Sequence, residues 1–252
     1  MHKQIFNFLL SFLLILVVTS YACRKNTPFR NQQNTDTTIN TNGNNPTPHD
    51  TSGYSYLALG DSYTIGESVK EEERYPAQTV RLVQGESGKK ISWLKYIAKT
   101  GWTTGSLLSA IYSENLKDTF DIVTLLIGVN DQYQHFDTGG YRDRFTTLLK
   151  KGIQLAGGKK SHVIVLSIPD YSVTPFASQS DTQEISRQID LFNNINHEIS
   201  NTYSITYINV TDISREALND STLLAFDGLH PSGKMYARWA ALLEPIVAGI
   251  LK

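Results

Sequence analysis

The feature that most constrains this chain is an alternation that begins at Tyr54. The apolar runs "YSYLALG", "ISWLKYIAKT", "FDIVTLLIG", "HVIVLSIPD" and "SITYINV" are separated by longer segments with helical spacing. Runs such as "IVTLLIG" and "VIVLSI" are apolar almost without interruption, which fits strands buried on both faces. Five strands alternating with helices predict an α/β fold, a five-stranded parallel sheet in a three-layer α/β/α arrangement. Ligands of such sheets bind at the carboxyl ends of the strands. The residues that follow each strand are therefore the place to look for chemistry.

Between the strands the spacing predicts helices over residues 75–87, 103–116, 140–158, 182–202 and 231–251. Pro76 suits the first turn of the first. Thr103 or Thr104 opens the second. Gly157 and Gly158 supply a stop for the third. Ile185, Ile189, Phe192, Ile195 and Ile199 form one stripe of the fourth. Pro231 suits the first position of the last helix, and Pro245 inside it predicts a kink or a break.

Residues 1–22 read differently. His2 and Lys3 give a basic start, and an apolar run over residues 5–18 follows, interrupted by Asn7 and Ser11. That run is shorter than the ~20 apolar residues of a membrane-spanning helix. It has the layout of a secretory signal peptide. Cys23 is the only cysteine, so no intrachain disulfide is possible. Its position resembles the lipobox of bacterial lipoproteins, which implies a lipid on Cys23. Ala22 fits that pattern; Tyr21 and Ser20 depart from it. Ser20-Tyr21-Ala22 also reads as the small-x-small site of ordinary signal cleavage. Residues 23–52 carry the anchor cysteine and an Asn/Thr-rich tether too poor in apolar surface to fold. The domain is expected over residues 53–252. These signals predict an exported protein, anchored through lipidated Cys23 and facing the periplasm or cell surface, with a soluble periplasmic or secreted form as the alternative.

Several strand ends carry polar residues with chemical potential. "GDSYTIG" places Ser62 just after the first strand, where it can be a nucleophile or a simple helix cap. The stretch is not the G-x-S-x-G elbow, because Thr64 occupies the last glycine position. "TGWTTG" offers the Gly101 N–H, or a turn glycine only; Gly105 lies further into the predicted helix. "GVND" offers the Asn130 amide, an uncharged donor, beside Asp131 in a capping or turn role. "DGLHP" places Asp227 three residues before His230, so that a carboxylate can meet imidazole Nδ1 and leave Nε2 free.

These four blocks, in order, resemble those of the GDSL or SGNH hydrolases, whose name lists a Ser, a Gly, an Asn and a His. The resemblance covers about residues 54–251. Tyr63 stands where the eponymous motif has leucine, at a position expected to carry no chemistry, and the second block is short. The family implies a flavodoxin-like SGNH fold. It implies Ser62 as nucleophile, His230 as base and Asp227 as orienting acid. The oxyanion donors would be the Ser62 N–H, the Gly101 N–H and the Asn130 side chain. The reaction implied is hydrolysis of carboxylic esters through an acyl-enzyme, without metal or other cofactor.

The remaining histidines form no metal-binding motif; His162 and His197 read as structural. A net charge of −1 gives no electrostatic case for nucleic acid. "GDSYTIG" has neither the G-x-G-x-x-G spacing nor a P-loop lysine, against a nucleotide-binding domain. Tyr133, Phe136, Tyr171 and Phe176 can shape a substrate site or pack on their own domain. Export and a tether favour an ester of extracellular carbohydrate or lipid over an acyl-CoA, and short acyl groups are expected. The alternative is a surface glycan-binding lipoprotein on the same scaffold without turnover. The sequence leaves the oligomeric state open.

Overall fold

The structure is a computed structural model that describes residues 52–252. The expected signal peptide, Cys23 and most of the expected tether lie outside the described residues. The sheet contains β1 (Tyr54–Gly60), β2 (Ile91–Ala98), β3 (Ile122–Leu126), β4 (Val163–Leu166) and β5 (Thr206–Ile208). Their order is β2-β1-β3-β4-β5, and every pairing is parallel. The predicted five-stranded parallel sheet is therefore present, in the flavodoxin-like order. That order reverses direction between β1 and β3, so a crevice opens at their carboxyl ends.

The helices are α1 (Ser62–Ile65), α2 (Tyr75–Ser87), α3 (Thr104–Glu114), α4 (Val129–Tyr133), α5 (Thr138–Leu155), α6 (Thr182–Tyr203), α7 (Thr211–Arg215) and α8 (Gly233–Ile250). The helices fall into two groups, α2 with α8 and α5 with α3 and α6, which the usual right-handed crossovers of parallel strands put on opposite faces of the sheet. On the first face Tyr75 of α2 meets Tyr236 and Trp239 of α8, with ring centroids 6.2 and 6.0 Å away. On the second, Tyr141 of α5 packs on Phe192 of α6 at 4.4 Å. The stripe of α6 is buried at Ile189, Phe192, Ile195 and Ile199, as its spacing predicts.

Between these layers β3 is buried along its whole length. Leu125 pairs with Leu59 on one side and Val165 on the other. Leu125→Ala is expected to destabilise the domain by about 2–5 kcal/mol, because a packed core relaxes only partly around a lost side chain. A lowered denaturant midpoint with unchanged slope would report it.

At α8 the break offered for Pro245 and the first helical position offered for Pro231 are not found. The helix does not break at Pro245; it continues to Ile250, where the Leu251 N–H still reaches the Val247 carbonyl at 3.1 Å. Leu243 and Val247, fully buried on either side of the proline, keep the helix packed in the core beside α2 and offset the lost hydrogen bond. Pro231 is not the first helical residue either. Ser232 caps α8 by accepting from the Met235 N–H, and Pro231 instead pairs with Leu224 in an isolated antiparallel bridge. No helix among the described residues is long and apolar enough to cross a membrane.

Candidate active site

The end of β1 is a tight place. A Cβ on Gly60 would run into the Leu126 carbonyl and the Thr64 side chain, so only glycine fits there. The chain then turns into α1, and Asp61 caps it by accepting from the Tyr63 N–H at 3.0 Å. The cap is thus Asp61, not Ser62. Ser62 is left at the first helical position, 5% exposed, with its side chain lining a cavity at the sheet edge.

Asp61 itself is wholly buried. Burial pushes its carboxyl up to about 8; the Tyr63 N–H opposes that rise, and the Asp131 charge adds to it. The folded carboxyl thus titrates above its unfolded value near ~4. Its contribution to stability is fully present below about pH 4 and is lost as pH rises towards about 8. Asp61→Asn keeps the cap oxygen and removes the titration. The fall in melting temperature from about pH 5 to about pH 8 should therefore be smaller in Asp61→Asn than in the native protein.

After β2 comes Gly101, with φ +83, in the left-handed region that glycine tolerates. Its N–H has no hydrogen-bond acceptor among the described residues. Thr103 then caps α3 by accepting from Ser106, so Thr104 is the first helical residue. After β3, Asn130 sits on α4 and donates one amide N–H to the Trp102 carbonyl at 2.9 Å. The second N–H of that amide remains available. Next to it, buried Asp131 accepts from the Thr104 N–H at 2.8 Å and from the Thr104 hydroxyl at 2.5 Å. Arg144 approaches the same carboxylate at 3.5 Å. Asp131 therefore caps α3 from a neighbouring element, the structural role its position suggested.

Asp227 and His230 occupy the turn between Leu224 and Pro231. Asp227 Oδ2 lies 2.6 Å from His230 Nδ1, and Oδ1 accepts from the Leu229 and His230 N–H groups at 3.0 Å each. Burial alone would raise this carboxyl. The Ser68 hydroxyl, the imidazole and the two backbone N–H groups outweigh it and hold the carboxyl well below the usual range. Asp227 is thus an anion over the whole physiological range, and it fixes the donor to Nδ1 and the ring orientation of His230.

Ser62, Gly101, Asn130 and His230, which follow three different strands and precede α8, line one cavity of about 190 Å³. Asp227 stands behind His230. Among the described residues no hydrogen bond joins the Ser62 hydroxyl to His230; such bonds often tighten only when substrate is bound. Tyr63, expected to carry no chemistry, lines the cavity and sets its ring edge-on to His230 at 5.7 Å. Tyr133, Tyr171 and Phe176 form an aromatic wall with mutual centroid distances of 6.2–6.4 Å. The Phe176 N–H also donates to the Gly228 carbonyl, at 3.3 Å, inside the Asp–His turn. Phe136 does not reach the cavity and lies under the Arg144 guanidinium at 5.2 Å. His162 bonds through Nδ1 to the Asp121 carbonyl at 2.6 Å, and His197 packs on Tyr207. Neither lines this cavity. Among the described residues no three His, Cys, Asp or Glu side chains are placed to hold a metal ion.

A parallel sheet in this order, with helices on both faces and a largely apolar cavity bearing a few polar groups at its reversal point, is the three-layer fold of the SGNH hydrolases. The description GDSL-like lipase/acylhydrolase matches residues 58–238, and the chain belongs to that family. It is a carboxylic ester hydrolase. Solved structures share the fold at low identity. An acetylxylan esterase from Geobacillus stearothermophilus is 19% identical with a TM-score of 0.60, covering 78% of this chain and 94% of its own. An α/β hydrolase from the metagenome of Lake Arreo, Spain, is 17% identical with a TM-score of 0.59, covering 79% and 97%. Catalytic mutants of the acetylxylan esterase replace a serine, an aspartate and a histidine. No curated protein matches the sequence significantly.

Proposed function

We propose that this chain is a serine esterase acting through an acyl-enzyme, with Ser62, His230 and Asp227 as its catalytic set. The observation that carries this reading is the Asp227–His230 contact at 2.6 Å, with the imidazole and Ser62 on the same cavity. The spacing also supports it: the mutated aspartate and histidine of the acetylxylan esterase stand three positions apart, like Asp227 and His230. His230 Nε2 takes the Ser62 proton as the oxygen attacks the ester carbonyl. The Ser62 and Gly101 N–H groups and the free Asn130 N–H receive the oxyanion. His230 then gives its proton to the leaving alcohol. Water repeats the cycle on the acyl-enzyme and releases the acid.

The cavity, at about 190 Å³, is smaller than the roughly 300–1,000 Å³ of pockets that enclose a drug-sized ligand. It therefore suits a short acyl group, with the alcohol part directed out past Tyr133 and Phe176, which are 54% and 51% exposed. Flat aromatic faces at a mouth suit the ring of a sugar. We accordingly assign short acyl esters of carbohydrate as the preferred substrates, with lipid esters second. A fluorophosphonate should label the native protein on the peptide that carries Ser62. An unlabelled, folded protein would overturn the reading in favour of a binding protein without turnover. Acetyl and butyryl p-nitrophenyl esters should be cleaved faster than long-chain ones, and acetylated polysaccharide should lose acetate.

Export and attachment through Cys23 belong to the same proposal. Cys23→Ser should move the protein from the membrane fraction to the soluble one. A native protein that is already soluble after export would instead favour ordinary cleavage after Ala22.

A further inference from the structure

The residues just after α1 form contacts that the reaction scheme does not use. The Ser62 carbonyl accepts from the Gly66 and Glu67 N–H groups, both at 3.0 Å, so the loop hangs directly from the nucleophile's backbone. The next two side chains reach in different directions. The Glu67 carboxylate accepts from the Thr100 hydroxyl, beside Gly101. The Ser68 hydroxyl donates to Asp227 Oδ2 at 2.6 Å, the same oxygen that faces His230 Nδ1.

Ser68 has φ +66, a backbone conformation that serine seldom adopts. Such a residue persists where its surroundings over-determine it. Here the main-chain bonds to Ser62 hold one side and the Asp227 carboxylate the other. Asp227 retains 24% side-chain exposure, so without Ser68 water has access to the oxygen that orients the base.

We propose that Glu67 and Ser68 clamp the nucleophile, the Gly101 loop and the Asp–His turn into one geometry, and that Ser68 is a positioning residue acting through Asp227. The proposal rests on the assignment of Ser62, Asp227 and His230 given above. With Oδ2 held by two donors, the carboxylate cannot rotate away from Nδ1, and the imidazole keeps Nε2 on the cavity side.

Ser68→Gly tests this directly, because glycine accepts the backbone angle and only the hydroxyl is lost. For that variant kcat on p-nitrophenyl acetate, and the rate of fluorophosphonate labelling, should fall together about tenfold, with KM within about twofold. Ser68→Asp also tolerates the left-handed region but replaces the donor by a second carboxylate, and should be slower still. Melting curves confirm that each variant is folded. A Ser68→Gly protein with kcat and labelling rate within about twofold of native, or with its loss confined to KM, overturns the clamp. Ser62→Ala measured alongside separates the two readings. If it is inactive while Ser68→Gly is fully active, only the clamp falls. If Ser62→Ala hydrolyses like the native protein, the site assignment falls and takes the clamp with it.

Discussion

Ser62→Ala is expected to lower kcat for p-nitrophenyl acetate by about 10⁴- to 10⁶-fold. The expectation is large because no other hydroxyl is placed to substitute. Among the residues lining the cavity, Thr100 and the tyrosines carry the other hydroxyls, and Thr100 already donates to Glu67. Without the Ser62 oxygen no acyl-enzyme forms. What remains is whatever His230 and the oxyanion donors contribute to direct attack by water. The fold should survive. Ser62 accepts from Gly66 and Glu67 through its main-chain carbonyl, which alanine keeps, and its side chain makes no hydrogen bond among the described residues. Unchanged melting with abolished turnover is the expected pair of results. Native turnover in Ser62→Ala would sink the assignment.

Asn130→Ala should cost about 10²–10³ in kcat, as the loss of one oxyanion donor typically does, with little change in KM. A ground-state carbonyl places less charge on that donor than the tetrahedral oxyanion does, so the loss should fall on the chemical step. A second effect adds to the first. The same amide holds the Trp102 carbonyl at 2.9 Å, next to Gly101, so its removal also loosens the loop that carries another donor. The cost of Asn130→Ala combined with a change at Gly101 should therefore be less than the sum of the two separately. A loss confined to KM would mean that Asn130 only binds substrate.

The sheet and the three strand-end blocks were legible because both are local signals. Apolar runs reveal a buried strand, and the residues after it are fixed in place by the strand itself. Asp227 and His230 were legible because they are three residues apart and need no distant partner to meet. Ser68 was not: it is a polar loop residue whose partner lies 159 positions away. Tyr63 was set aside on family grounds, yet its ring backs the imidazole. The break offered for Pro245 and the helix start offered for Pro231 failed for the opposite reason. Local proline rules applied, but the buried flanks of α8 and the Ser232 cap decided the outcome. Phe136 shared a segment with Tyr133 but lies on the Arg144 side, a difference that spacing does not resolve.

The bond from the Phe176 N–H to the Gly228 carbonyl has a consequence for remodelling this enzyme. The loop that would select the substrate leans on the turn that would carry the base. Pro175 also lies 3.4 Å from where a side chain at Gly228 would begin. Exchanging residues 171–177 for another sequence to broaden the substrate range would therefore disturb the base as well. Substrate range and turnover would then be coupled in this scaffold, and a graft that spares the Phe176 main chain and Pro175 is the one expected to vary the first without losing the second.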